Sequence, residues 1–122
     1  MHTILVADDD APVRQVMKSM LELVGGYCVL EAADGVQALQ LAHLEHPNLV
    51  ILDERMPGLP GDAVCAELRA CSSTREMPVV MVLSDSGDDV QGYVLASGAS
   101  AVLHKPFHLD ELVGTVQELL GK

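Results

Sequence analysis

Residues 4–9 read Ile4-Leu5-Val6-Ala7-Asp8-Asp9, residues 49–53 read Leu49-Val50-Ile51-Leu52-Asp53, and residues 101–106 read Ala101-Val102-Leu103-His104-Lys105-Pro106. In each stretch a run of apolar residues gives way to charge. A strand with one wetted face alternates apolar and polar side chains, whereas a continuous apolar run reads as a strand buried on both faces of a parallel sheet. Open parallel sheets take their ligands just beyond the carboxyl ends of the strands. Asp8, Asp9, Asp53 and Lys105 are therefore expected to converge at one rim. Three carboxylates and an ammonium at one spot suit a divalent metal and a phosphoryl group.

Outward from these runs, strand and helix alternate along the chain. A strand over 3–7 is followed by a helix over 11–24, with Asp9 or Asp10 as N-cap, Pro12 in the first turn and Gly25-Gly26 as the stop. Its Val13, Met17, Leu21 and Val24 recur at helical spacing. A weaker strand over 27–31 leads to Asp34-Gly35, which caps a helix over 35–46 that Pro47 ends. A strand over 48–53 precedes the loop Met56-Pro57-Gly58-Leu59-Pro60-Gly61 and a helix over 61–71. Pro78 opens a strand over 78–83. The polar stretch Ser84-Asp85-Ser86-Gly87-Asp88-Asp89 leads to a helix over 88–97 that Gly98 terminates. A strand over 100–104 and a helix over 109–120 close the pattern, the helix with Leu109, Leu112, Val113, Val116, Leu119 and Leu120 as its buried stripe. Five βα units give a doubly wound α/β fold. With no internal repeat or linker, residues 1–122 read as one domain.

Composition excludes several classes of function. Seven basic residues against 18 acidic ones give a net charge of −11, the wrong sign for gripping a nucleic-acid backbone. Aromatic residues are 2% of the chain, so base-stacking platforms are absent as well. Cys28, Cys65 and Cys71 are odd in number and form no C-x-x-C pair, which reads as buried reduced thiols in a cytosolic protein. The opening Met-His-Thr-Ile lacks a basic region followed by a long apolar stretch and so does not read as a signal peptide, and no apolar run approaches the ~20 residues of a membrane span.

The expected rim has definite chemistry. Three close carboxylates repel one another, and without a counter-ion at least one should have a raised pKa. A hard divalent cation relieves the repulsion. Mg²⁺ takes octahedral oxygen ligands and keeps several waters, so two carboxylates and a backbone carbonyl suffice and phosphate oxygens can fill the rest. Asp53 is then placed to attack phosphorus as a nucleophile, with the metal and Lys105 stabilising charge on the equatorial oxygens. Asp10, Asp34 and Asp85 read more simply as caps and turn residues.

Four stretches together resemble the receiver domain of bacterial response regulators, the chemotaxis-type phosphoacceptor fold. They are Ile4-Leu5-Val6-Ala7-Asp8-Asp9-Asp10, Leu52-Asp53-Glu54-Arg55-Met56-Pro57-Gly58, Ser97-Gly98-Ala99 and Lys105-Pro106-Phe107, in the family's order and spacing. The resemblance implies a flavodoxin-like (βα)5 sandwich with parallel strands in the order 2-1-3-4-5. It implies Asp53 as phosphoacceptor, Asp9 as the direct metal carboxylate, Asp8 acting mainly through water, and the main-chain carbonyl of Arg55 as third protein ligand. The ion implied is Mg²⁺ or Mn²⁺. Lys105 would bind the phosphoryl group, and in the family the Lys-Pro bond after it is commonly cis.

The chain departs from the family at the switch. Strand four usually ends in Thr or Ser, but gapless counting lands on Leu83, leaving Ser84 or Ser86 as the nearest hydroxyls. The aromatic position of strand five falls on Val102. Both departures concern conformational coupling rather than phosphorylation, so coupling is expected to be weakened or rerouted. Arg55 and Asp85 are expected to flank the mouth, as an ion pair slowing water attack or as two solvated side chains. His43 and His46 read as surface side chains, His104 as a residue near the sheet edge, and the six methionines as core filler.

These readings describe a cytoplasmic phosphoacceptor that serves a sensor histidine kinase or a histidine phosphotransfer protein and signals to an output domain or target protein. It would bind neither nucleic acid nor membrane directly, and would catalyse only its own phosphorylation and dephosphorylation. Gly92-Tyr93-Val94 on helix four could contribute to a weak dimer through helix four, strand five and helix five. The rival is a pseudo-receiver, an interaction module of the same fold that signals without phosphorylation. An Asp-nucleophile phosphatase would need a second Asp where Arg55 stands. A flavin site would need a Gly/Ser/Thr-rich loop where Asp8-Asp9-Asp10 stands.

Overall fold

The runs that opened the sequence form the middle of a parallel sheet. The computed structural model describes residues 2–84, 92, 96 and 98–121. Its strands are β1 (Thr3–Ala7), β2 (Cys28–Ala32), β3 (Leu49–Asp53), β4 (Val79–Leu83) and β5 (Ala101–His104), and its helices are α1 (Ala11–Leu23), α2 (Gly35–Glu45), α3 (Gly61–Ala70) and α4 (Leu109–Leu119). All strand pairings are parallel, in the order β2-β1-β3-β4-β5. The architecture is the expected flavodoxin-like α/β sandwich. The fourth expected helix, over 88–97, falls largely outside the described residues, as do Asp85, Ser86, Tyr93, Val94 and Ser97.

Period two explains why the runs Ile4–Ala7, Leu49–Leu52 and Val79–Leu83 carry no polar residue. Ile4 and Val6 pack with Leu49, Ile51, Val80 and Val82 on one face, beneath Met17 and Leu21 of α1 and Leu112 and Val116 of α4. Leu5 and Ala7 pack with Val50, Leu52, Met81 and Leu83 on the other face, against Ala38 and Ala42 of α2 and Val64, Cys65 and Leu68 of α3. Both faces are covered, so every position of these runs is apolar. Met17, Met56, Met77 and Met81 are buried in these layers.

The helix ends follow local chemistry. Asp10, rather than Asp9, is the N-cap of α1 and accepts from the Val13 amide, and Asp34 caps α2 by accepting from the Gln37 amide. Val24 is the C-cap of α1, its amide donating to the Met20 carbonyl, and is 57% exposed where the chain turns away through Gly25-Gly26. One expectation fails. Cys28 is exposed rather than buried, because it opens β2 at the sheet edge; Cys65 is buried, and all three thiols are free. Burial pushes the Cys65 thiol up from its ordinary pKa.

Arg69 braces the far end of the sheet. Its guanidinium donates to the carbonyls of Gly98, Arg75 and Met77 and reaches the Ser100 hydroxyl, joining α3 to the approaches of β4 and β5. None of the described helices is long and apolar enough to cross a membrane.

Candidate functional site

Strand register brings Asp8 and Asp53 together. Ile4 pairs with Leu49 and Ala7 with Leu52, so one further step sets Asp8 beside Asp53. Both share the pleat parity of Val6 and Ile51 and lie at the carboxyl edge of neighbouring strands. Asp8 is fully buried and Asp53 is 5% exposed, while Asp9 is exposed. Carboxylate oxygens of all three lie within 4.8 Å of one another.

Lys105 reaches the pair from β5. Its own amide donates to the Leu83 carbonyl at 2.7 Å, which continues the sheet pairing one residue past His104. The Lys105–Pro106 peptide is cis. The ammonium lies 3.1 Å from Asp8 Oδ2 and 3.3 Å from Asp53 Oδ2. The Arg55 amide donates to Asp53 Oδ1 at 3.2 Å, and the Asp10 amide donates to Asp8 Oδ1 at 2.9 Å.

The electrostatics follow from burial and proximity. Burial pushes the Asp53 carboxyl above its ordinary pKa, the Asp8 charge adds to the rise, and the Arg55 amide and Lys105 charge oppose it. Burial alone would depress the Lys105 ammonium, but its contacts with Asp8 and Asp53 outweigh that and hold it above the ordinary lysine value. Three carboxylates stand against one ammonium in this cluster. That donor set, all hard oxygen, fits a divalent cation.

The loop after β3 forms the outer wall. A groove of about 580 Å³ lined by Asp9, Glu54, Arg55, Met56, Pro57, Pro60 and Asp62 opens beside the cluster, roomy enough for a phosphoryl group. One oxygen of Glu54, Oε1, is buried without a hydrogen-bond partner among the described residues. Two glycines shape this wall, and neither close approach could be read from the chain. A Cβ on Gly61 would stand 2.5 Å from the Asp53 carbonyl oxygen and 2.9 Å from Met81 Sδ, and one on Gly35 would overlap the Leu59 carbonyl oxygen. Gly61→Ala is expected to cost about 1–3 kcal/mol and to slow phosphoryl uptake as the Asp53 backbone yields. Urea unfolding beside a labelling time course checks both effects.

Leu83 and Val102 lie on the neighbouring strands β4 and β5. Leu83 ends β4 with its side chain fully buried, and Val102 is half-buried against the same layer. Ser84 is exposed and, among the described residues, makes no hydrogen bond to Asp53 or Lys105. Arg55 is exposed beside the cluster; its expected partner Asp85 lies outside the described residues. His104 is half-buried on the edge strand β5, and its Nδ1 has no hydrogen-bond partner among the described residues.

Comparison with known proteins agrees with this arrangement. The response regulator receiver domain model matches residues 4–117. The chain is 43% identical over 121 residues to the regulator ycf27 of Porphyridium aerugineum, covering 98% of this chain and 48% of that protein. It is 37% identical over 124 residues to the DNA-binding dual master transcriptional regulator RpaA of Synechocystis, covering 100% of this chain and 50% of that protein. The chain thus spans about half the length of these relatives. The receiver domain of Francisella response regulator 1452 superposes with a TM-score of 0.92 at 30% identity, covering 99% of this chain and 98% of that one. With strand order, acidic cluster and family model in agreement, the chain belongs to the receiver-domain family of response regulators.

Proposed function

We propose that this chain accepts a phosphoryl group onto Asp53 from the phosphohistidine of a sensor histidine kinase or of a histidine phosphotransfer protein. The observation that carries this reading is the convergence of Asp8, Asp53 and Lys105, two of them buried carboxylates, at the edge of the parallel sheet. An Asp53 oxygen bonds to phosphorus as the phosphorus–nitrogen bond breaks, and the donor imidazole leaves with the electron pair. Lys105 is already hydrogen-bonded to Asp53 and can follow the charge to a phosphoryl oxygen while keeping Asp8. Asp8, Asp9, Asp53 and the main-chain carbonyl of Arg55 would hold Mg²⁺ or Mn²⁺, which when bound neutralises the phosphoryl oxygens. The chain turns over no diffusing substrate; it transfers to itself and hydrolyses its own acyl phosphate.

Several features support the rest of the reading. An apolar groove of about 460 Å³ lies between α1 and the turn after β5, lined by Pro12, Val13, Val16, Met17, Met20, Lys105, Pro106 and Phe107, and suits a docking kinase helix. It reaches Lys105, so a partner seated there lies beside Asp53. Signalling would go to an output domain or target protein, in the cytoplasm. In relatives named as DNA-binding regulators, DNA contact would fall to the half this chain does not span. Leu83 and Val102 supply no hydroxyl and no aromatic ring for the usual switch, so coupling would run by another route, with Ser84 as the nearest described hydroxyl.

The second reading, a pseudo-receiver, is favoured by the buried Leu83. Intact mass after acetyl phosphate treatment, with and without Mg²⁺ and beside Asp53→Asn, separates the two. One added phosphoryl group that needs both Mg²⁺ and Asp53 is the expected result. No gain under conditions that label another receiver domain would transfer the case to the pseudo-receiver.

A further inference from the structure

Asp9 has no side-chain hydrogen bond among the described residues, so its carboxylate goes where its backbone sends it. That backbone is held at few points. The Asp8 amide donates to the Ala32 carbonyl at 3.1 Å, and the Asp10 amide donates to Asp8 Oδ1 at 2.9 Å. Arg14 supplies two more ties. Its own amide donates to the Asp10 carbonyl at 2.9 Å, as the first turn of α1 requires, and its guanidinium donates to the Asp8 carbonyl at 2.7 Å. The Asp8 carbonyl belongs to the peptide that joins Asp8 to Asp9, so the guanidinium fixes the plane from which both carboxylates depart.

The guanidinium is itself held. Its Nε lies 2.9 Å from Glu31 Oε1, and Glu31 also pairs with Lys18 at 3.3 Å. Glu31 sits on β2 in register with Val6, so it cannot move without the sheet. The Arg14 side chain is 16% exposed. A planar fork anchored on a carboxylate with one edge and on a carbonyl with another is a geometry lysine cannot copy.

We infer that Arg14 is a positioning residue for the cation site, aiming Asp8 and Asp9 through the Asp8 carbonyl. The inference rests on the metal-binding reading of Asp8, Asp9 and Asp53 given above. The sign of the effect distinguishes positioning from charge. A cation beside an acidic cluster repels a metal, so if Arg14 acted through its charge alone, removing it would leave Mg²⁺ affinity unchanged or tighten it. If it positions the ligands, removing it weakens the affinity.

Isothermal titration of the metal-free chain with Mg²⁺, on wild type, Arg14→Ala, Arg14→Lys and Glu31→Gln, decides between them. Arg14→Ala is expected to weaken Mg²⁺ affinity about tenfold, the lower end of what partners of metal ligands contribute. Arg14→Lys should fall between wild type and Arg14→Ala, and Glu31→Gln should change affinity least, because Arg14 retains the Asp8 carbonyl. Thermal melts without metal report any purely structural loss, and the fitted stoichiometry reports the folded fraction, so a weakened affinity at full stoichiometry belongs to the site. Unchanged or tighter binding in Arg14→Ala would overturn the inference while leaving the metal-binding reading intact. A wild type that takes up no Mg²⁺ would overturn both.

Discussion

Asp53→Asn is expected to abolish phosphoryl uptake and, without metal, to make the fold more stable than wild type. The first effect is loss of the nucleophile, since an amide oxygen does not form an acyl phosphate. The second follows from where Asp53 lies: it is 5% exposed and faces the fully buried Asp8. Burial raises its pKa in the fold above the ordinary 3.8, against only partial help from Arg55 and Lys105. For an acid whose folded pKa is raised, the unfolded chain releases its proton first as pH rises. Stability therefore falls from the unfolded value up to the folded pKa and stays at the lower level above it. Above the folded pKa the whole cost is present, and an asparagine of nearly the same shape does not carry it. The metal-free variant should melt a few degrees above wild type at pH 7, with the gap closing as pH falls towards 3.8. Mg²⁺ should reverse the order. At a hundred times its Kd it would add about 2.7 kcal/mol to wild type, and much less to a variant lacking one ligand. Circular-dichroism melts at two pH values, with and without Mg²⁺, test this, and a variant less stable than wild type without metal would contradict it.

What the chain revealed about its fold came from two kinds of signal. One is periodicity. Ile4-Leu5-Val6-Ala7 and Leu49-Val50-Ile51-Leu52 are apolar throughout because both faces of β1 and β3 are covered, and that same rule sends Asp8 and Asp53 to one edge. The other is local hydrogen bonding: Asp10 and Asp34 cap helices with amides three residues on, so the signal lies within one turn. Signals that depend on distant partners were not legible. Arg14 and Glu31 are 17 residues apart, Arg69 and Gly98 are 29 apart, and nothing beside either arginine marks its role. Gly61 and Gly35 look like ordinary helix-start glycines until the Asp53 and Leu59 carbonyls are found against them. Cys28 failed for a related reason: it has the right character for burial, but it opens β2, the edge strand of the sheet.

Lys105→Met is expected to cost the metal-free protein about 3 kcal/mol, the low end of what removing one partner of a buried ion pair costs. The low end applies because the lysine side chain is 23% exposed, while the side chains of its partners Asp8 and Asp53 are buried. Methionine keeps most of the length and apolar stem, so the loss is chiefly that of the ammonium. Lys105 has a folded pKa above its ordinary 10.5. Its own titration therefore leaves the contribution in place below 10.5 and removes it as pH rises through the folded pKa. At pH 7 the full loss is seen. It should shrink in acid, because protonating the carboxylates removes the need for a counter-charge. Two other changes should also shrink it: Mg²⁺, which replaces the missing positive charge, and a second substitution, Asp53→Asn, which removes one of the charges to be compensated. Phosphoryl uptake should slow by about a hundredfold even with Mg²⁺ present, the scale of losing one donor to a developing oxyanion. Urea midpoints with and without Mg²⁺, alongside an intact-mass time course, measure both effects. An unchanged midpoint at pH 7 would mean that the buried carboxylates are not balanced by Lys105, and the site would then need another source of positive charge before any metal arrives.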